Sequence, residues 1–374
     1  MKKVLILYAK YGGGHLSAAN AIKSYIENNY TDTEVRSVDC VEYFNKFISN
    51  VTTGAYKKMA KKAPNLWKKI YYGSTDGFLS HVSNFTNKLM AKKLKKLFNE
   101  YNPDTVISVH PFGTPITSYL KNHEGINCKL AVVFTDFAPH EQWLVGKEEC
   151  DYFFVSNEVM KQALIDNYNI ASDKIHVTGI PLSSAFSSNF NDGEIIEKYN
   201  LNKDKKLILF FGGGEFGLGE NYTVQILKEL TQYIDKYQIV AVSGRNKKMY
   251  NEFINLSNEL KSNDLHTLDY CTDVPALMHM SSLVVTKPGG LTSSESLASH
   301  LPILIINPIP GQEEENAEFL VNAGAAIWLK KEDDIQQVIN SLLNNESKLE
   351  ELRNNSTKIA KPDSTKQICE IILN

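Results

Sequence analysis

No run of about 18 apolar residues, the length that spans a bilayer as a helix, occurs anywhere in the 374-residue sequence. The first residues, Met1-Lys2-Lys3, lead into an apolar run of only six, Val4 to Ala9, and then into a charge and glycines. That is too short for an export signal and suits a β-strand. Cysteine is sparse: five residues (Cys40, Cys128, Cys150, Cys271, Cys369), scattered, odd in number and never in a C-x-x-C pair. This argues against a disulfide framework or structural zinc and for a reducing compartment, with the cytoplasm as the expected location. No D-x-D sequence is present, so a divalent metal bridging a diphosphate is not suggested. A net charge of −3, with 43% hydrophobic and 22% charged residues, is ordinary for a globular protein and gives no general reason to expect nucleic acid.

What is there is alternation. Strand-length apolar runs recur at Val4–Ala9, Thr105–Val109, Lys129–Phe134, Tyr152–Val155 and Ile175–Thr178 in the first half. They return at Lys206–Phe211, Gln238–Val242, Leu283–Thr286 and Ile303–Ile306 in the second. Most are followed by a stretch of helical period. Runs that are apolar on both faces fit buried strands of a parallel sheet covered by helices, so an α/β architecture is expected. The two halves also open alike: Val4–Ile26 and Leu207–Leu230 each read strand, glycine loop, helix. Two Rossmann-like domains in tandem follow, covering 1–185 and 205–345, with a linker at 186–204 in the Ser-, Asn- and Asp-rich run Pro181–Asp204 and a C-terminal helical segment at 346–374. Ligands of open α/β sheets bind at the carboxyl ends of strands, which puts the chemistry in a central cleft faced by both parallel sheets.

One insertion breaks the pattern. Between Phe44 and Phe98 lie twelve lysines against one acid, Asp76, interleaved with aromatics such as Phe47, Tyr56, Trp67, Tyr71 and Tyr72. Such a cluster reads as a footprint for an anionic membrane surface, each lysine contributing about 1 kcal/mol and the aromatics anchoring it. The plain alternative is a set of solvated helix faces with the aromatics buried. Nucleic acid is the weaker reading.

Three loops carry candidate chemistry. Gly12-Gly13-Gly14-His15 stands between a strand and a helix, where glycine lets a ligand approach the backbone and the helix start offers amides; a simple tight turn is the alternative. His15 at its mouth has the ordinary pKa of a general base. Gly212 to Gly219 has five glycines in eight residues and can pass beneath a phosphate or sugar. After the strand Leu283–Thr286 comes Lys287-Pro288-Gly289-Gly290-Leu291-Thr292-Ser293-Ser294-Glu295, an anion site built on a helix N-terminus and suited to a diphosphate. Glu295, one turn inside that helix, would repel phosphate and fits ribose hydroxyls better. Pro308-Ile309-Pro310-Gly311-Gln312-Glu313-Glu314-Glu315-Asn316 brings amides and carboxylates to the same strand-end face, where they could read sugar hydroxyls.

These residues resemble the diacylglycerol sugar transferases, that is, the processive diacylglycerol glucosyltransferases and monogalactosyldiacylglycerol synthases, and more distantly the GlcNAc transferase that makes lipid II. T-K-P-G-G-x-T-x-x-E is matched from Thr286 to Glu295 and P-x-P-G-Q-E…N from Pro308 to Asn316. GGGH and the segment Thr135, Asp136, His140, Trp143 look like the lipid-transferring branch. The resemblance runs from about residue 3 to residue 345. It implies a GT-B fold, with the acceptor on the first domain and a UDP-sugar on the second, and an inverting, metal-independent transfer of glucose or galactose to diacylglycerol or its glycosylated form. No cofactor is implied beyond the UDP-sugar donor, and the enzyme would sit peripherally on the inner face of the cell membrane. By the same resemblance Gly289, Gly290 and Thr292 would hold the diphosphate, with Ser243, Gly244 and Arg245 nearby, and Gly214 and Leu291 would also belong to the nucleotide-sugar site. Glu295 would bind the ribose, Tyr270, Val274 and Met278 the uracil, and Gln312, Glu313 and Asn316 the transferred sugar. His15 or Asp136 would act as base, with Gly13, Gly14, His140 and Trp143 binding the acceptor; a packed Trp and a structural His are the alternative for the last two. One departure is Ser299-His300, where relatives often have a small residue and glycine.

Two other readings stay open at this stage: a UDP-GlcNAc-dependent transferase with a lipid-linked acceptor, and a non-catalytic sugar-nucleotide sensor. A sensor should have lost the base or the sugar-contacting residues, and here both sets are present. A nicotinamide oxidoreductase would need G-x-G-x-x-G with an acid about twenty residues on, which neither half supplies convincingly.

Overall fold

The computed structural model describes residues 1–10, 13–44, 78–213 and 220–374; side chains at 41, 44, 78–89 and 220 are likewise outside the description. Gly214 and most of the lysine–aromatic insertion therefore lie outside the described residues. The chain divides into two compact units. One takes in Met1–Ser184, Pro310–Gln312 and Lys361–Asn374, the other Ala185–Ile309 and Glu313–Ala360.

In the first unit the chain order is β1 (Lys2–Tyr8), α1 (Gly14–Asn29), β2 (Thr33–Asp39), α2 (Cys40–Phe44), α3 (Phe78–Tyr101), β3 (Thr105–Ser108), α4 (Gly113–Glu124), β4 (Lys129–Val133), β5 (Tyr152–Val155), α5 (Glu158–Tyr168) and β6 (Ile175–Val177). The sheet is parallel, in the order β2-β1-β3-β4-β5-β6. Successive side chains of a strand point to opposite faces, and both faces are covered over the inner strands, which is why β1, β3, β4 and β5 read as apolar runs while the edge strand β2 does not. Leu5, Leu7, Val106, Leu130, Val132 and Phe153 pack on one side with Leu94, Leu97 and Phe98 of α3. Val4, Ile6, Ile107, Val133 and Phe154 pack on the other with Ile22 and Ile26 of α1. On the described part of α3, Met90, Ala91, Leu94, Leu97 and Phe98 are buried while Lys92, Lys93 and Lys96 are exposed. This end of the insertion is thus an ordinary amphipathic helix, its aromatic in the core and its lysines in water.

The second unit runs α6 (Asp192–Tyr199), β7 (Lys206–Phe211), α7 (Glu220–Leu230), β8 (Tyr237–Val242), α8 (Lys247–Leu260), β9 (Leu265–Leu268), α9 (Val274–Met280), β10 (Ser281–Thr286), α10 (Gly290–Ala298), β11 (Ile303–Ile305), α11 (Gln312–Asn322), β12 (Ala326–Trp328), α12 (Ile335–Leu343) and α13 (Glu346–Ile359). Its parallel sheet has the order β12-β11-β10-β7-β8-β9. Counted from its own first strand this is 3-2-1-4-5-6, the doubly wound dinucleotide-fold order, whose direction reverses between β7 and β10. In the first unit the reversal falls between β1 and β3.

The last helix, α14 (Ser364–Leu373), does not stay with α13. Its Ile368, Cys369, Ile372 and Leu373 complete the α1 face of the first unit's core. Ser364 Oγ donates to the Ile180 carbonyl (2.7 Å), and Thr365 Oγ1 both accepts from Leu182 N (2.9 Å) and donates to Leu182 O (2.6 Å). Gly179, at φ +89°, lies so close that a Cβ there would stand 2.4 Å from the Lys361 Cβ. The segment 346–374, expected as one C-terminal piece, is split between the units.

His300, which departs from the family pattern, has φ +55°. The left-handed region costs an L-residue roughly 1–2 kcal/mol, and glycine enters it freely. Its carbonyl accepts from Arg353 (3.3 Å), a bond that glycine keeps. His300→Gly is therefore expected to raise stability by about 0.5–1 kcal/mol, read as a higher thermal midpoint for the second unit; an unchanged or lower midpoint would refute the strain.

Candidate active site

At the first unit's reversal point, β1 delivers the loop to His15 and β3 delivers Val109 and His110. The His15 ring is held from one side. Its Nδ1 lies 2.8 Å from the Val109 carbonyl and 3.1 Å from Thr135 Oγ1. A carbonyl can only accept, so Nδ1 carries the hydrogen and Nε2 keeps a lone pair. A main-chain carbonyl, and not the Asp136 carboxylate, is thus the acceptor that orients the imidazole. Burial pulls the His15 pKa down to about 4 against the opposing effect of the Val109 bond. At neutral pH the ring is uncharged.

His110 stands edge-on to it, ring centroids 4.6 Å apart, and burial followed by His15 itself holds the His110 pKa well below the ordinary value. Phe112 N donates to His110 Nδ1 (3.2 Å), which places that ring's hydrogen on Nε2. Trp143 is 2% exposed and lies 5.2 Å from the Phe134 ring and 6.0 Å from the His15 ring. It packs beside the histidine and is buried. His140, half-buried, accepts from Gln142 N (3.3 Å) and starts the short 3-10 turn that carries Trp143. Asp136 is 4% exposed, and its carbonyl accepts from Ser156 Oγ (2.8 Å). Gly13 starts α1 with no side-chain cap, and a Cβ there would meet nothing within 4 Å. The fold itself does not demand that glycine.

At the second unit's reversal point the loops after β7 and β10 meet. Gly213 has φ +80°, and a Cβ there would come within 3.1 Å of the Lys287 Cε. The Lys287 side chain therefore lies along the β7 loop, and desolvation lowers its pKa while Glu313 pulls the other way. Gly289 precedes α10 without a side-chain cap, leaving the first amides of that helix for an outside acceptor. Glu295 sits one turn on. Burial alone pushes its carboxyl up to about 8, and it has no hydrogen-bond or ion-pair partner among the described residues. Ser293, wholly buried on the same helix, also has an Oγ without a hydrogen-bond partner among the described residues.

The remaining candidates divide. Glu313 Oε2 accepts from Ile309 N (2.6 Å) and Asn316 Nδ2 donates to the Pro288 carbonyl (3.1 Å), so both brace the loops of this site. Gln312, half-buried, opens α11. After β8, Ser243 is buried with its Oγ donating to Leu268 O (3.2 Å), Gly244 has φ +60°, and the Arg245 guanidinium lies 5.4 Å from the ring centre of Tyr270, itself 62% exposed. Val274 is half-buried at the start of α9, whereas Met278 on the same helix is fully buried in the core. β8 ends in Val242-Ser243-Gly244, with no acid where a dinucleotide fold holds a ribose. The carboxylate at this reversal point, Glu295, stands on α10. Lys287 was not singled out in the sequence, although it stands inside the T-K-P-G-G run. Among the described residues no group of three or more His, Cys, Asp or Glu could hold a metal, and no helix is long and apolar enough to cross a membrane.

Two family models match the chain in succession: monogalactosyldiacylglycerol (MGDG) synthase over residues 15–182, and the glycosyltransferase family 28 C-terminal domain over residues 207–368. The processive diacylglycerol beta-glucosyltransferase of Bacillus cereus (strain G9842) is 30% identical over 377 aligned residues, which cover 99% of this chain and 93% of that protein. Its counterpart in Bacillus mycoides (strain KBAB4) matches at the same identity and coverage. Among solved structures, MurG of Acinetobacter baumannii superposes with a TM-score of 0.64 at 14% identity, covering 100% of this chain and 99% of that one. The S. aureus MnaA–UDP structure gives 0.66 at 15% identity, covering 98% and 95%. These last two show the fold alone, which is GT-B. Together with the near full-length relatives and the loops at both reversal points, they establish that the chain belongs to the diacylglycerol glycosyltransferase family, whose second half is a glycosyltransferase family 28 C-terminal domain.

Proposed function

We propose that this glycosyltransferase moves glucose or galactose from a UDP-sugar to diacylglycerol or its glycosylated form, with inversion and without a metal, at the inner face of the cell membrane. The names of the relatives favour glucose. The observation that carries the reading is the pair of desolvated, oppositely chargeable groups at the second unit's reversal point. Glu295, without a side-chain partner among the described residues, would accept from two ribose hydroxyls, and Lys287, beside a helix start, would meet the diphosphate. The amides at Gly289, Gly290, Leu291 and Thr292 would complete the diphosphate cradle, with Ser243, Gly244 and Arg245 flanking it. Tyr270 and Val274 would contact the uracil, with Met278 packed behind them. Gln312 would reach the sugar, with Glu313 and Asn316 holding its loop.

On the first unit, His15 Nε2 would take the acceptor hydroxyl's proton as that oxygen attacks the anomeric carbon and the bond to the diphosphate oxygen breaks. Neutral at pH 7, the ring is ready to accept, and a nearby anion would raise its basicity. Asp136 is the second candidate for that role. Lys287 and the α10 amides would take up the charge on the departing UDP. Gly13, Gly14 and His140 would line the acceptor's approach, Trp143 supporting from beneath. The lysines of 44–98 would bring the enzyme to an anionic surface.

Purified protein is expected to release UDP from UDP-glucose or UDP-galactose only when diacylglycerol is supplied in anionic liposomes, and to keep doing so in EDTA. Release without lipid, or loss in EDTA, would overturn this function or its metal independence. His15→Ala should lower kcat by about 10²- to 10⁴-fold with UDP affinity unchanged; near-wild-type turnover moves the base to Asp136. Glu295→Gln should weaken UDP binding roughly 10- to 100-fold, the loss of two charge-assisted hydrogen bonds. The same change should stabilise the free protein. The folded carboxyl titrates near 8 and the unfolded one near 4.5, so the native state bears the cost of ionisation only as pH rises between them. The variant's thermal midpoint should exceed wild type at pH 9 and match it at pH 4.5.

A further inference from the structure

The loop that follows β9, Tyr270–Asp273, is tied from outside by a helix the proposed chemistry does not use. Asp273 immediately precedes α9, where an aspartate would ordinarily accept from the amides of its own helix. It makes no such cap. Its carboxylate is turned to the end of α6, where Oδ2 accepts from the Tyr199 hydroxyl (2.5 Å) and from the Lys198 ammonium. Those two donors, Lys198 foremost, hold the Asp273 carboxyl below its ordinary range, while desolvation and then the contacts with Asp273 and Cys271 push the Tyr199 phenol up. The Tyr199 hydroxyl also stands 3.5 Å from Cys271 Sγ, so one phenol touches two residues of the loop. A second tie lies at the other ends of the two helices: the Phe190 ring, just before α6, packs 5.6 Å from the His279 ring near the end of α9.

We propose that Tyr199 and Asp273 form a clasp by which α6 holds the loop 270–273 in the shape that reads the nucleotide's base, making Tyr199 a positioning residue for base affinity and specificity. This rests on the assignment of Tyr270 and Val274 to the uracil. The physical reason is pre-organisation. A four-residue turn with an exposed aromatic would otherwise be ordered by the ligand, and the ordering cost would come out of the binding energy of every base alike. A base-reading edge must be stiff to discriminate, because the cost of an unpaired donor or acceptor is felt only if the loop cannot relax around it. Asp273 makes this contact in place of the cap of its own helix. Both contacts of Tyr199 with the loop named above are made by its hydroxyl, so Tyr199→Phe removes them and keeps the ring.

The test compares wild type, Tyr199→Phe and Asp273→Asn by calorimetry with UDP and CDP, by donor kinetics, and by hydrogen–deuterium exchange of residues 268–276. Both variants should weaken UDP binding by about three- to tenfold, narrow the UDP-to-CDP ratio, and raise KM for the donor more than they lower kcat. Exchange across 268–276 should quicken in the free variants and return to the wild-type rate under saturating UDP. A merely structural bond would lower the thermal midpoint and leave the UDP-to-CDP ratio where it was. If UDP protects 268–276 in wild type and both variants keep its affinity and selectivity, the clasp is overturned and the base assignment stands. If UDP binds wild type without protecting 268–276, the base assignment fails and the clasp with it.

Discussion

A parallel sheet covered by helices on both faces leaves its strand ends as the place where backbone and solvent meet, and it needs a crossover after every strand. Where the strand order reverses, two neighbouring crossovers leave in opposite directions, and their loops part over the sheet edge. Both units obey this constraint, and the candidate residues follow from it. In the first it separates the loops after β1 and β3, so His15 can lean on the Val109 carbonyl. In the second it brings Gly213 of the β7 loop beneath the Lys287 side chain of the β10 loop.

The two edges treat charge differently. In the first, desolvation keeps two imidazoles neutral, one offering Nε2 as a lone pair and the other Nε2 as a hydrogen. In the second, the same desolvation falls on a carboxyl and an amine: Glu295 has no side-chain partner among the described residues, and Glu313, which acts on Lys287, also accepts from Ile309 N. Groups left in that condition cost stability in the free protein and are relieved by a ligand that supplies hydroxyls to one and negative charge to the other.

Much of this was legible beforehand because the signals were local. Apolar runs marked the strands other than β2, β9 and β12, glycine clusters marked the two reversal loops, and T-K-P-G-G-x-T-x-x-E marked the helix that carries Glu295. What stayed hidden was set by distant partners. Nothing in the segment 135–143 says that Trp143 turns inward beneath His15 while His140 does not. Glu313 and Asn316 read as sugar contacts, and no local signal says that they also engage the Ile309 amide and the Pro288 carbonyl. Lys287 reads as punctuation before a Pro-Gly-Gly turn, and its place depends on a loop more than seventy positions earlier. The partition of the C-terminal segment between units has no local signal either, since α13 and α14 are both amphipathic helices separated by a short break.

That partition bears on how the molecule is made. The first unit's sheet is complete by β6, yet one face of its core stays open until Ile368, Cys369, Ile372 and Leu373 arrive. A chain emerging from the ribosome at about 5–20 residues per second would carry that apolar face uncovered while the whole second unit is synthesised. The first domain to be translated is thus the last to be finished. A nascent chain stalled or cut before α14 would present a sealed second unit beside an unsealed first, a natural substrate for holding chaperones and for quality-control proteases.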